Sequence, residues 1–345
     1  MFILIILLIF GLGAHAPAVV TAQATAEATP LTIDGQPATA LAVDPSSGEA
    51  TYVVAGQQLY RADGEGGWQA AGASANLETT IVDSRNAEAL WAGTGMDCFR
   101  GGGVSAGLMH TSDAGASWAE AGPAGFVPLA SFDPGGIVIA HDCSSLQVSR
   151  DGGATWAMPD GPPLGSEVTS FAVASSPDSA AGLRVLVGVT GEGGATLLYR
   201  VSLSDPAAAT VDGPLVSWWG HAPVAVTDAG SILVGASHGV LRSDDGGETW
   251  TTLRAGLEST TLEQDPLKVF PPDLEPGSFG LTAMAISGDD VYVAGVDGIY
   301  RLSGEAWELV AALDVEATDL AIEPGTGALL VETTEQSVLR IDRAG

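Results

Sequence analysis

Three aspartates occupy the same place in a recurring octapeptide. Asp151 lies in Ser149-Arg-Asp-Gly-Gly-Ala-Thr-Trp156 and Asp245 in Ser243-Asp-Asp-Gly-Gly-Glu-Thr-Trp250. Asp113 lies in Thr111-Ser-Asp-Ala-Gly-Ala-Ser-Trp118, with Thr and Ser in the hydroxyl positions. Paired carboxylates can run glycoside hydrolysis when roughly 5–10 Å apart across a cleft. The neighbouring residues point instead to a structural use. A short Asp accepts N–H bonds across its own turn, the hydroxyl of Thr111, Ser149 or Ser243 ties the corner, and Gly115, Gly153 and Gly247 supply backbone freedom. Thr155 and Thr249 repeat the hydroxyl pattern, and Trp118, Trp156 and Trp250 each bring a large apolar surface to bury.

Candidates for ligand chemistry lie elsewhere. The segment Val216-Ser-Trp-Trp-Gly-His221 sets Trp218, Trp219 and His221 side by side. Aromatic faces there could stack on a sugar or hold a peptide side chain, or plug a gap between packed units. Asp97 and Arg100 fall in Met96-Asp-Cys-Phe-Arg-Gly-Gly-Gly103. His141 and Asp142 precede Cys143, His238 sits in Ser237-His-Gly239, and Asp297 in Val296-Asp-Gly298. No short His/Cys/Asp spacing marks a metal site, and no cofactor motif occurs. The expectation is no metal, no cofactor and no assigned catalytic residue.

These residues must be positioned by a repeat. An apolar strand such as Ala38-Thr-Ala-Leu-Ala-Val-Asp44 is followed by a turn and a strand ending in small residues, Tyr52-Val-Val-Ala-Gly56. A third strand, Gln58-Leu-Tyr-Arg-Ala-Asp63, precedes a Gly-rich corner and a strand opened by Trp68. The first turn recurs seven times, from Asp44-Pro-Ser-Ser-Gly48 to Glu323-Pro-Gly-Thr-Gly327. Such a period means stacked supersecondary units. The reading is an all-β, seven-bladed propeller of four-stranded antiparallel blades, 27–345 being one domain. The last unit stops after three strands, and the spare strand Leu31-Thr-Ile-Asp34 is expected to complete it and remove an open edge.

Composition limits the partners. Twelve basic against 42 acidic residues give a formal net charge of −30. Nucleic acid and anionic lipid are bound by Lys and Arg neutralising phosphate, so both are excluded. Residues 1–26 begin with an apolar run, Met1-Phe-Ile-Leu-Ile-Ile-Leu-Leu-Ile-Phe10, of signal-peptide length, and read as a signal peptide or N-terminal anchor. Export to a secreted, periplasmic or cell-surface location follows. Cys98 and Cys143, the only two cysteines, fall at similar places in successive units, which in an exported chain points to a disulfide. The Pro-rich segment 257–279 is long for a propeller loop.

The octapeptides match Ser-x-Asp-x-Gly-x-Thr-Trp, and the chain resembles the BNR, or Asp-box, superfamily of β-propellers. That group includes sialidases, xyloglucanase-like glycoside hydrolases, the sortilin ectodomain and the photosystem II stability and assembly factors with their bacterial relatives; the last fit best in size. The resemblance implies that the boxes lie on the face opposite the functional one. Sialidases also carry an Arg-Ile-Pro motif and a clamp of three arginines. This chain lacks Arg-Ile-Pro, and Arg61, Arg150, Arg200, Arg242, Arg301 and Arg340 sit at the third strand as repeat positions rather than a convergent clamp. The expectation is an exported, non-catalytic binding module or assembly scaffold for a protein, peptide or glycan. The alternative is a glycoside hydrolase using Asp97, Asp142 or Asp297.

Overall fold

A computed structural model describes residues 26–342 apart from 48, 76–78, 94–106, 133–135, 143–144, 160–163, 165, 176–181, 192–194, 204–208, 220–221, 237–238 and 258–279. The chain opens with β1 (Ala28–Pro30) and β2 (Thr32–Ile33). Next come β3 (Gln36–Val43), β4 (Ala50–Ala55), β5 (Gln58–Ala62) and β6 (Trp68–Ala73), then β7 (Thr79–Asp83), β8 (Asn86–Gly93), β9 (Gly107–Thr111) and β10 (Ala119–Ala124). They are followed by β11 (Val127–Phe132), β12 (Ile137–Asp142) and β13 (Ser145–Ser149). The sheet after that holds β14 (Val168–Ser175), β15 (Arg184–Thr190), β16 (Ala195–Ser202) and β17 (Thr210–Trp219). Then come β18 (Val224–Val226), β19 (Ile232–Ala236), β20 (Gly239–Ser243) and β21 (Thr251–Leu253). The last strands are β22 (Leu281–Ser287), β23 (Asp290–Gly295), β24 (Gly298–Ser303) and β25 (Ala306–Ala312), then β26 (Ala317–Ile322), β27 (Leu329–Thr333) and β28 (Val338–Ile341).

The architecture is an all-β propeller. Among the described residues, four sheets have four strands, in the orders β14 to β17, β18 to β21, β22 to β25, and β26-β27-β28-β1. A fifth, β11 to β13, gains a one-residue fourth strand where Ala157 bridges Val148. The first two repeat units depart from the expected separate blades and form one curled nine-stranded sheet. Their first strands hydrogen-bond in parallel, Ala42 beside Thr80 and Val43 beside Ile81. Ladder pairing replaces the side-chain packing that separates the other sheets.

The alternation of burial follows each strand's place. Second strands such as β15, β19 and β23 are buried on both faces, because a neighbouring sheet covers each side. Their sequences accordingly run as apolar and small residues without polar alternation, as in Ile232-Leu-Val-Gly-Ala236. First strands β14 and β22 alternate buried with half-buried residues, one face lining a central channel. The core lies between sheets. Phe132 and Ile139 pack with Val185 and Val187, and Leu233 and Val240 with Val293 and Trp307. Each such fully buried side chain contributes about 1.5–3 kcal/mol.

Closure differs in register from the expectation. Ala28 pairs with Ile341 and Pro30 with Leu339, so β1 completes the last sheet. The Leu31–Asp34 segment expected to do so instead forms β2, which turns back onto β3 with Thr32 opposite Pro37. Its apolar side chains, Leu31 and Ile33, fill the gap between Leu41 and Leu330. Residues 1–25, Cys98 and Cys143, and most of the 257–279 segment lie outside the described residues.

Candidate functional site

The three octapeptides fold as identical corners. Ser149 Oγ donates to Asp151 Oδ1 at 2.8 Å and accepts from Gly153 N at 2.8 Å. Thr155 donates to Asp151 twice, N–H to Oδ1 at 2.8 Å and hydroxyl to Oδ2 at 2.6 Å. The same bonds recur at Thr111, Asp113, Gly115 and Ser117, and at Ser243, Asp245, Gly247 and Thr249. The Thr111 hydroxyl, followed by the Ser117 hydroxyl and N–H, holds the Asp113 carboxyl down to about 2. The hydroxyls of Thr155 and Thr249 lead the same downward shift at Asp151 and Asp245. Carboxylates held ionised by their own turn make poor proton donors near neutral pH. The corner residues serve the fold.

The tryptophan indoles hydrogen-bond within their corner or to a neighbouring strand. Trp118 Nε1 donates to Ala73 O at 2.9 Å, Trp156 Nε1 to Gly153 O at 2.9 Å, and Trp250 Nε1 to Leu215 O at 3.2 Å. Trp307, in a degenerate copy, is 3% exposed and donates to Leu253 O at 3.2 Å. The third-strand arginines act between and within sheets. Arg150 donates to Leu203 O at 2.7 Å and Arg200 to Gly246 O, each in the following sheet. Arg301 pairs with Asp290 at 2.6 Å and Arg340 with Glu323 at 2.9 Å within their own sheets.

The loop residues proposed from sequence are dispersed or lie outside the described part. Trp218 is 5% exposed and packs among Ala222, Ile232 and Val234, the plugging role rather than a stacking one. Trp219 ends β17, with its side chain outside the described part. Asp97, Arg100, His221 and His238 lie outside the described residues. His141, next to last in β12, has Nδ1 at 3.2 Å from Asp142 O, and burial lowers its pKa. Asp142 accepts from Ser145 Oγ at 3.1 Å. Asp297, in the β23–β24 turn, accepts from Tyr300 Oη at 3.0 Å. These are bonds within single hairpins. Among the described residues no group of three His, Cys, Asp or Glu is placed to hold a metal.

A different site emerges along the channel. A cavity of about 770 Å³ runs beside the first strands β3, β14, β18, β22 and β26, with Thr169, Phe171, Thr282, Met284 and Asp319 on its wall. It extends from Leu281, at the start of β22, to Gly288 beyond its end, and so follows the axis rather than the loop face. It is bounded on one side by Val43 at the end of β3 and by the turn that follows, Pro45 to Glu49, beside the parallel pairing of β3 with β7. Asp319 is open to the channel yet ringed by protein, and this crowding pushes its carboxyl up to about 6 against the Leu320 N–H bond at 2.8 Å. Its register partner on β27 is Glu332, raised to about 7 by burial with the Asp319 charge adding to the rise. Sequence reasoning missed both residues. The signal was one acid in each of two strands otherwise free of charge, Ala317-Thr-Asp-Leu-Ala-Ile322 and Leu329-Leu-Val-Glu-Thr333.

The BNR/Asp-box repeat family matches residues 241–252, the corner around Asp245. No curated protein matches the chain. Among solved structures, the extracellular domain of the one-component system BT4673 of B. thetaiotaomicron superposes with a TM-score of 0.54 at 10% identity, covering 93% of this chain and 40% of that one. The extracellular domain of the hybrid two-component system BT3049 from the same organism gives 0.52 at 12% identity, covering 85% and 38%. This chain therefore spans less than half the length of either ectodomain. A structure described as a gluconolactonase gives 0.46 at 11% identity, covering 93% of each chain. At these identities the likeness concerns the fold alone.

Proposed function

We propose that this chain is an exported, non-catalytic seven-bladed propeller that binds a protein, peptide or glycan ligand, with the axial channel receiving one group of that ligand. The channel cavity carries the proposal. Its volume falls within the roughly 300–1,000 Å³ typical of small-molecule and side-chain sites. Its wall mixes apolar Phe171 and Met284 with polar Thr169 and Asp319. The seven-blade count rests on treating the nine-stranded sheet as two four-stranded units, β3 to β6 and β7 to β10, that share a parallel seam.

Hydrolysis is the weaker reading. Retaining or inverting glycosidases need carboxyl groups on either side of the scissile bond, whereas Asp319 and Glu332 are neighbours on adjacent strands of one sheet. Export draws on the apolar residues 1–26, and a Cys98–Cys143 disulfide on the same oxidising destination.

Binding of a glycan and peptide panel to the full chain, compared with Phe171→Ala and Met284→Ala variants, tests the channel. Ligands held by the wild type and lost by both variants are expected. Turnover of aryl glycosides that disappears in Asp319→Asn or Asp297→Asn would overturn the non-catalytic reading.

A further inference from the structure

The ring closes where the last sheet meets β3. There β1 pairs with β28, Leu31 N donates to Val338 O at 2.9 Å, and Glu49 bridges Ile322 in parallel. One side chain also spans this seam. Glu332 Oε2, on β27, accepts the backbone N–H of Leu41, on β3, at 3.1 Å. Glu332 stands directly opposite Asp319 in the β26–β27 ladder, so the two side chains leave the same face of the sheet. Asp319 lines the channel.

Among the described residues the flanking strands offer no free counter-charge. β22 (Leu281–Ser287) and β3 (Gln36–Val43) contain no ionisable side chain, nor does β1. On β28, Arg340 is engaged by Glu323 at 2.9 Å and Asp342 at 2.6 Å. On β23, Asp290 is engaged by Arg301. Among the described residues, the other charges near the ends of these strands include Asp44, Glu49, Glu316 and Glu335, and these are acidic. Like charges placed opposite each other across a ladder are destabilising, and here a proton is the available neutralising partner.

We propose that Asp319 and Glu332 act as a proton-operated latch on ring closure, holding the last sheet against β3 while they retain a proton and loosening that seam when both ionise. With one proton between them, Glu332 keeps its acceptor on Leu41 N. With none, the two carboxylates repel in a walled site, and Glu332 gains by turning toward channel water. The direction of titration agrees. Burial, the largest cause at each residue, outweighs the N–H bonds from Leu320 and Leu41, which favour the ionised forms, and raises the folded-state pKa values above the ordinary 3.8 and 4.5, to about 6 for Asp319 and about 7 for Glu332. The unfolded chain therefore releases these protons first. The stabilisation is full below about pH 4 and is lost as pH rises through about 6 and 7. Because Asp319 is on the channel wall, the same protons set the charge that a ligand meets there.

The test is thermal unfolding of the full chain from pH 5 to pH 8.5, with Glu332→Gln and Asp319→Asn, joined to hydrogen exchange of the wild-type peptide containing Leu41. The wild-type Tm is expected to fall by on the order of 2–4 °C across this range, and each variant to lose most of that fall. Exchange at Leu41 should accelerate beyond its intrinsic pH dependence in the wild type. An equal pH slope in all three proteins would overturn the latch. So would Leu41 protection that follows only intrinsic exchange, a measurement that needs no variant to fold.

Discussion

Trp118 reaches back to Ala73, its indole Nε1 donating to the Ala73 carbonyl at 2.9 Å. The contact joins the corner after β9 to the outermost strand of the preceding unit, 45 residues earlier in the chain. Ala73 N in turn donates to Gly115 O at 3.0 Å, within the same octapeptide. A motif that looks local therefore also holds successive units together.

Replacing Trp118 by Phe keeps the ring and removes the donor. Chemical denaturation should show a loss of about 1 kcal/mol. Trp307→Ala removes a side chain only 3% exposed, and should cost about 3–5 kcal/mol. Equal losses for the two variants would contradict this account of the corner tryptophan.

The corner aspartates govern the acid limb of stability. Their folded pKa values lie below the ordinary 3.8, at about 2 for Asp113, through bonds led by the Thr111, Thr155 and Thr249 hydroxyls. Depressed carboxyls stabilise the fold above the unfolded pKa, and that contribution fades as pH falls through the folded value. Tm should drop between about pH 4 and pH 2, and Asp151→Ala and Asp245→Ala should each flatten the drop while lowering Tm at pH 7. Ligand binding in the channel should be unaffected by both.

Gly72 lies on β6 with no room for a side chain, since a Cβ there would overlap the backbone at Gly115 and Ala116. Gly72→Ala should destabilise by about 1–3 kcal/mol through overpacking between the first two units. Gly304→Ala meets nothing nearby, although its φ of +65° carries backbone strain of its own. Denaturation midpoints of the two variants separate close packing from backbone strain, with Gly72→Ala expected to fall further.

Glu323 is 1% exposed and receives both Nε and Nη2 of Arg340, at 3.1 and 2.9 Å. Arg340→Ala should cost about 3 kcal/mol by stranding a buried carboxylate. The double variant Glu323→Gln, Arg340→Met should recover a substantial part of that loss in the same denaturation assay. A double variant as unstable as Arg340→Ala alone would show that the arginine acts through packing instead.

Much of this was legible from residues close in sequence. The Asp151 corner is built from bonds two and four residues apart, so its chemistry is written in one octapeptide. The apolar second strands, such as Val185-Leu-Val-Gly-Val189, likewise fit their burial on both faces. The closing strand was displaced by a few residues, because backbone reach brings Ala28 to Ile341 while the more apolar Leu31 and Ile33 serve better as packing.

Local pattern, then, determined the repeat, the corners and the strand character, since these depend on turn chemistry and on alternation along a single strand. Only the tertiary structure decided that the first two units share a ladder, that Trp218 is packed away, and that Asp319 and Glu332 meet at a seam. The bond that places Glu332 there reaches Leu41 across 291 residues of chain. Closing a ring brings its two ends into contact, and no periodicity within a single unit encodes what those ends will find opposite them.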